Sequence, residues 1–127
     1  MVALFVLMES IGMTAAQSSP PAIIVSDDGS GRGDAQLSPG QELELALAAN
    51  PTTGYTWQFT MPERAPMRFK SRVYRPGTAS PRPGAGGTDL FLFEAVAPGT
   101  DQLHFDYRRG PTGEPARTYD LRVTVLP

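Results

Sequence analysis

Hydrophobic and polar residues alternate along much of this chain, most regularly after Glu42. Leu43, Leu45 and Leu47 are separated there by single acidic or small residues. This period of two is typical of a β-strand that buries one face. The same alternation, or a short apolar run, predicts six further strands near residues 22–26, 55–59, 67–73, 89–93, 103–107 and 119–125.

Glycine and proline separate these segments throughout the chain. The 127 residues include 13 glycines and 13 prolines, which favours many turns and short elements over long helices. The apolar fraction of 40% is enough for one core but not for two. About seven short strands with turn signals between them predict one all-β domain, an immunoglobulin-like antiparallel β-sandwich.

Two polar segments are predicted to be loops. Residues 27–34 are rich in aspartate and glycine, but they lack the spacing and the closing glutamate of an EF-hand, so a solvated turn is favoured over a calcium site. The Arg32-Gly33-Asp34 tripeptide within them is short enough to occur by chance. Residues 75–87 contain three prolines and four glycines, which predicts a long loop.

The polar positions of two strands are expected to face solvent. Arg68, Lys70 and Arg72 alternate with apolar residues, which places three cations on one outer face, where solvation and protection of a sheet edge explain them. His104 falls on the solvent side of the strand at 103–107. It is the only histidine, so we expect a surface residue rather than a metal ligand.

Composition excludes several classes of function. The formal net charge of −2 provides no strong field for nucleic acid or for an anionic membrane. The absence of cysteine excludes disulfides, thiolate metal sites and a cysteine nucleophile. No nucleophile and base pair can be identified. We therefore expect a protein that is not an enzyme, that needs no cofactor or metal and that acts as a monomer.

The first residues are predicted to be an export signal. A short apolar run at residues 2–8 precedes Thr-Ala-Ala at 14–16, which are small residues of the kind a signal peptidase reads. The run is too short for a spanning helix. We assign residues 1–16 to a signal peptide, 17–21 to a flexible lead-in and 22–127 to the single domain, and we expect a secreted or periplasmic protein.

A rigid loop is predicted between the strands at 42–47 and 55–59. Pro51 fixes its own φ angle, Asn50 can hydrogen-bond to the backbone two residues on, and Gly54 allows the positive φ of a tight reversal. Thr52 and Thr53 at the tip add hydroxyl groups without charge. Such a loop loses little conformational freedom when a partner immobilises it. These are also ordinary turn residues, so a simple strand connector remains the alternative on composition alone.

Three segments together resemble one known family. Residues 50–57 read Asn-Pro-Thr-Thr-Gly-Tyr-Thr-Trp, residues 84–91 read Gly-Ala-Gly-Gly-Thr-Asp-Leu-Phe, and residues 107–113 read Tyr-Arg-Arg-Gly-Pro-Thr-Gly. In this order the first two resemble contact loops of the chagasin-like inhibitors of papain-family cysteine proteases, and the third lies where that family carries its third contact loop. The resemblance extends from about residue 40 to the C-terminus. It implies the same immunoglobulin-like sandwich, with Phe91 and Phe93 inward and Leu90 and Leu92 outward.

The resemblance also implies a function and a partner. The chain would be a reversible, noncovalent inhibitor of a papain-family cysteine protease, with its first loop (residues 50–55) beside the catalytic cysteine. The second loop (83–88) and the third loop (107–115) would grip the cleft from either side, since alternate loops of a sandwich share one end. The residues implied to contact the protease are Asn50, Pro51, Thr52, Thr53, Gly54, Tyr55, Gly84, Ala85, Gly86, Gly87, Arg108 and Arg109.

One departure from the family and one alternative function follow from the same residues. The third loop reads Arg109-Gly110-Pro111 where the family typically has Arg-Pro-Trp, so an aromatic anchor is missing and weaker or narrower inhibition is expected. That loss, together with the outward Leu90 and Leu92, suggests the alternative of a noncatalytic adhesion or envelope-assembly module.

Overall fold

Eight strands lie within residues 20–62, 65–77 and 86–127, which are the parts of the chain described by the computed structural model. They are β1 (Ile23–Ser26), β2 (Arg32–Leu37), β3 (Glu42–Ala49), β4 (Tyr55–Thr60), β5 (Met67–Pro76), β6 (Gly87–Ala95), β7 (Gly99–Arg109) and β8 (Arg117–Val125). A single 3-10 turn, Pro51–Thr53, connects β3 to β4. Within these described ranges, no helix has the length and apolar character needed to cross a membrane.

The strands form two four-stranded sheets, one with the order β1-β3-β6-β5 and the other with the order β2-β8-β7-β4. The predicted all-β sandwich is therefore confirmed. It has one strand more than the seven expected, and two of its pairs are parallel: β1 with β3, and β2 with β8. The chain changes sheets between β1 and β2, so each sheet gains a parallel strand at one edge.

Strand β2 corrects the predicted loop at residues 27–34. Ala35 and Leu37 point into the core, and Arg32 and Asp34 point outward, so the strand carries a period of two that begins inside the glycine-rich segment. Gly33 does not mark a turn here. A Cβ atom at this position would collide with the phenol oxygen of Tyr119, so the glycine makes room for a buried ring.

The core lies between the sheets and follows the alternation read from the sequence. The inward residues of β3, β6, β7 and β8 are almost entirely buried, including the three leucines of β3 and both Phe91 and Phe93. Phe59 lies at the centre of an aromatic cluster, with ring centroids 5.2–5.7 Å from those of Phe69, Phe91, Phe93 and Phe105. As expected, Leu90 and Leu92 lie on the outer face, where both are half-buried.

Strand β5 corrects the prediction that Arg68, Lys70 and Arg72 share one outer face. Its pairing with β6 shifts between Phe69 and Ser71, so Lys70 is the extra residue of a β-bulge. Because one inserted residue reverses the side to which later side chains point, Arg72 turns inward, opposite Phe91. Only Arg68 and Lys70 remain outside, paired with Glu94 and Glu42.

Candidate functional site

The strand register brings the ends of all three predicted loops to one end of the sandwich. Ala49, just before the first loop, is paired with Gly87 of the second, and Gly87 is also paired with Pro76. Tyr55, the last residue of the first loop, is paired with Arg109 of the third. The first loop therefore bridges the two sheets, with the second loop on one side and the third on the other.

The first loop is held in one conformation by its own hydrogen bonds. The Asn50 side chain accepts bonds from the Thr52 backbone N–H (3.2 Å) and from the Thr52 hydroxyl (2.6 Å). The Asn50 carbonyl accepts bonds from the Thr53 N–H (3.1 Å) and hydroxyl (2.7 Å). Gly54 closes the turn at φ 83°, in the left-handed region that a glycine adopts without strain.

These bonds decide what the exposed tip, Pro51 to Gly54, offers to a partner. Proline has no N–H, and the N–H groups of Thr52, Thr53 and Gly54 all donate within the loop, as do both threonine hydroxyls. The Pro51 and Thr53 carbonyls and the Thr53 hydroxyl also accept bonds within the protein, but each hydroxyl or carbonyl oxygen has two lone pairs, so acceptor capacity remains on this uncharged surface. The tip is therefore chiefly an acceptor surface, which suits a site rich in hydrogen-bond donors.

The second loop is described only in part, because the predicted residues Gly84 and Ala85 lie outside the described residues. At the next two positions, Gly86 and Gly87, a side chain would crowd neighbouring backbone atoms of the same protein. A Cβ at Gly87 would collide with the Arg75 carbonyl, and one at Gly86 would lie 3.3 Å from the Ala49 carbonyl oxygen, beside Asn50. The described end of the second loop, at Gly86, is thus packed directly against the base of the first.

Arg109 extends from the third loop over the first. Its Nη2 donates to the Thr53 carbonyl (2.9 Å), and its guanidinium lies 4.9 Å from the centre of the Tyr55 ring. A Cβ at Gly54 would come within 3.4 Å of the arginine Nε, so this glycine also leaves room for the guanidinium. Arg109 is exposed and retains donors that a partner can use.

Arg108 is placed differently, on the outer face of the β2-β8-β7-β4 sheet. It binds the Asp106 carboxylate and donates to the Pro111 carbonyl (3.3 Å). His104 lies on the same face, half-exposed as predicted, between Asp120 (2.6 Å) and Asp106 (2.8 Å). The hydrogen bond to Asp120 is the main cause that raises the pKa of His104, and Asp106 adds to it. Burial raises the pKa of Asp106, but the bonds from Arg108 and His104 outweigh it and lower that pKa overall.

Sequence comparison identifies the family. The pattern described as "Chagasin family peptidase inhibitor I42" matches residues 36–123, which is more than half of the chain. This chain belongs to the chagasin family. It is 33% identical to chagasin of Trypanosoma cruzi over 79 residues, which cover 58% of this chain and 70% of that protein.

Solved structures of similar fold agree with this family. The cysteine protease inhibitor EhICP2 from Entamoeba histolytica superposes with a TM-score of 0.68 at 19% identity, covering 83% of this chain and 96% of that one. Amebosin gives 0.65 at 26% identity, covering 84% and 100%. PbICP-C, solved in complex with falcipain-2, gives 0.50 at 21% identity, covering 85% and 93%. The family description makes this chain a peptidase inhibitor rather than an enzyme.

Three residues outside the implied protease-contact set also hold the site together. Tyr107 accepts a hydrogen bond from the Asn50 N–H (2.8 Å), the Trp57 indole donates to the Ala48 carbonyl (2.9 Å), and Arg117 donates to the same carbonyl (2.8 Å). Alternation placed Tyr107 and Trp57 on the inward side of their strands. No local sequence pattern marks Arg117 as part of the site. Its contact arises from the pairing of β7 with β8, which sets it opposite Tyr107.

Proposed function

We propose that this chagasin-family chain inhibits papain-family cysteine proteases reversibly and without covalent chemistry, by inserting its first loop into the active-site cleft. The second and third loops would contact the two walls of the cleft. The convergence of the three loops at one end of the sandwich is the observation that carries this proposal. It agrees with two structural relatives, since EhICP2 is a cysteine protease inhibitor and PbICP-C was solved in complex with falcipain-2.

The conformation of the first loop explains how it would block the cleft without being cut. Papain-type proteases attack a carbonyl of an extended peptide with a thiolate, while oxyanion donors stabilise the intermediate. Residues 51–53 form a 3-10 turn instead of an extended strand. The turn would therefore occupy the floor of the cleft while its peptide bonds stay out of the attackable geometry. Its acceptor-rich tip matches the donors that such a floor presents.

The energetics of the tip also favour insertion. It carries no charge, so burying it against the protease incurs no ionic desolvation penalty. Its internal hydrogen bonds are already formed, which reduces the ordering cost of binding. In the third loop, Gly110 adopts φ 71° at an exposed turn, and Pro111 stands where the family typically has the tryptophan, so no aromatic anchor is present. Losing such an anchor commonly costs about 2 kcal/mol, so we expect weaker inhibition than in relatives that keep it.

A paired substitution tests this proposal. Thr53→Glu places a charge at the tip, and we expect the inhibition constant against papain and a cathepsin L-like protease to rise at least about thirtyfold, equivalent to ~2 kcal/mol. Thr100→Glu is the matched control, since Thr100 is exposed near the opposite end of β7. The inhibition constant is measured by titration against a small fluorogenic substrate, with the melting temperature recorded for each variant.

Three outcomes would contradict the proposal. The wild-type chain at micromolar concentration would show no saturable inhibition, or both substitutions would change inhibition equally. Alternatively, Thr53→Glu would lower the melting temperature by an amount whose free-energy equivalent matches the loss of binding free energy. The first loop would then be a structural connector only.

We further propose that the protein acts outside the cytoplasm, as a secreted or periplasmic inhibitor. The apolar run at residues 2–8 and the small residues at 14–16 support this proposal. Expression with the native N-terminus, followed by mass spectrometry of the exported fraction, should recover a chain that begins at Gln17. Recovery of only unprocessed chain from the cytoplasm would contradict it.

A further inference from the structure

The third loop is bounded by two arginines, and each of them holds one side of the first loop. Arg109 is the last residue of β7, and its Nη2 donates to the carbonyl of Thr53 (2.9 Å). Arg117 is the first residue of β8, and its Nη2 donates to the carbonyl of Ala48 (2.8 Å). Ala48 precedes the first loop and Thr53 ends its 3-10 turn, so Pro51 and Thr52 of the exposed tip lie between the two anchored carbonyls.

A continuous set of aromatic contacts joins the two arginines. The Arg109 guanidinium lies over Tyr55, the Tyr55 ring stacks on Tyr107 with centroids 5.5 Å apart, and the Arg117 guanidinium lies 4.7 Å from the centre of Tyr107. Arg117 also lies 5.2 Å from the centre of the Trp57 ring. Contacts between a cation and an aromatic face are attractive, and a planar guanidinium can stack and donate a hydrogen bond at once.

From these contacts we propose that Arg109 and Arg117 are positioning residues, which hold the first loop in its binding conformation before a protease arrives. This inference rests on the proposed function and gives the third loop a second task besides contact with the cleft wall. Apparent affinity falls in proportion to the fraction of molecules whose loop is in the binding conformation. Loosening either anchor would therefore weaken inhibition even where the arginine never touches the protease.

Arg117 provides the sharper test because it lies outside the set of residues implied to contact the protease. The test variant is Arg117→Gln, which removes both the charge and the planar stack. Arg122→Gln is the matched control, since Arg122 is an exposed arginine on the outer face of the same strand. Both variants lose one charge from β8, so an effect of net charge alone would appear in both.

The first measurement is amide hydrogen exchange in the free protein. We expect Arg117→Gln to speed exchange at Thr53 and Gly54 by about tenfold while exchange at Leu121, in the core of β8, stays unchanged, because local opening is separable from global unfolding. Arg122→Gln should leave the first loop unchanged. Unchanged exchange at the first loop in Arg117→Gln would overturn the proposal, and equal acceleration at Leu121 would reduce Arg117 to a general stabiliser of the fold.

The second measurement is the rate of association and dissociation with papain at low and high salt. We expect Arg117→Gln to weaken binding by about tenfold, equivalent to ~1.4 kcal/mol, by the same factor at both salt concentrations, because the lost contacts are internal. A loss confined to low salt would show a direct charge contact with the protease and would overturn the positioning role. Wild-type affinity in Arg117→Gln, if its first loop exchanges faster, would also overturn the positioning role. If the wild-type chain inhibits no cysteine protease, the proposed function fails, while the exchange measurement still decides whether the arginines hold the loop.

Discussion

Replacing Arg72 by methionine is expected to destabilise the fold far more than the same change at Arg68. Because of the β-bulge, Arg72 points inward and its guanidinium joins the two sheets. It binds the Asp89 carboxylate of β6 (2.8 Å), donates to the Trp57 carbonyl of β4 (3.0 Å) and lies 4.9 Å from the centre of the Phe91 ring. Methionine keeps much of the volume but leaves the carboxylate without its cation.

The expected magnitude follows from burial. The Asp89 side chain is only 6% exposed and that of Arg72 is 36% exposed. Removing one member of a fully buried ion pair costs about 3–5 kcal/mol, whereas exposed pairs contribute about 0–1 kcal/mol. The intermediate exposure of Arg72 places the expected loss at about 2–3 kcal/mol. For a domain of this size that corresponds to a fall of roughly 10–20 °C in melting temperature.

The assay is urea unfolding at pH 7 of the wild type, Arg72→Met, Arg68→Met and the double variant Arg72→Met with Asp89→Asn. Arg68 is 64% exposed in its pair with Glu94, so its loss should cost at most about 0.5 kcal/mol. The double variant should recover part of the loss, because no unpaired carboxylate remains. Equal, small losses of unfolding free energy for Arg72→Met and Arg68→Met would refute the inward placement of Arg72. They would support the original prediction that both arginines lie on one outer face.

Two further outcomes are expected on unfolding. The Tyr119 hydroxyl is buried and lacks a hydrogen-bond partner among the described residues, so Tyr119→Phe should leave the free energy of unfolding unchanged or raise it by up to about 1 kcal/mol in urea titrations; a clear loss would reveal a partner. For His104, the raised pKa means that its stabilising contribution is complete below the unfolded value of 6.5 and is lost as pH rises through the folded-state pKa. The melting temperature of wild type relative to His104→Gln should therefore decline from pH 6 to pH 9, and a constant or rising difference would contradict this.

Several features of the fold and the site could be predicted from local patterns. Alternation identified the inward leucines of β3 and the inward faces of β7 and β8, because a strand's side-chain period holds wherever one face is buried. Strand β6 is apolar on both faces, so its inward face was expected from the family resemblance instead. The Asn-Pro-Thr-Thr-Gly motif predicted a stiff first loop, since each of its residues acts on the backbone within a few positions. Those predictions needed no knowledge of the partner strands.

Other features depended on contacts between distant parts of the chain. Strand β2 was not predicted, because glycine is a common turn residue. Only the packing of the Tyr119 ring against Gly33 explains why a glycine stands within this strand. The bulge at Lys70 turned the Arg72 side chain to the inward side of the sheet. This change is visible in the pairing of β5 with β6 but not in the residues of β5 alone.

The sequence by itself determined the all-β class and most of the buried positions, because these follow from short-range periodicity and turn chemistry, and its resemblance to the chagasin family indicated the three loops and their order. Only the tertiary structure decided that the loops meet at one end and that Arg109 and Arg117 reach the two sides of the first loop. The reason is physical: strand register is set by pairing across many intervening residues, and a shift of one residue changes which side chains can meet.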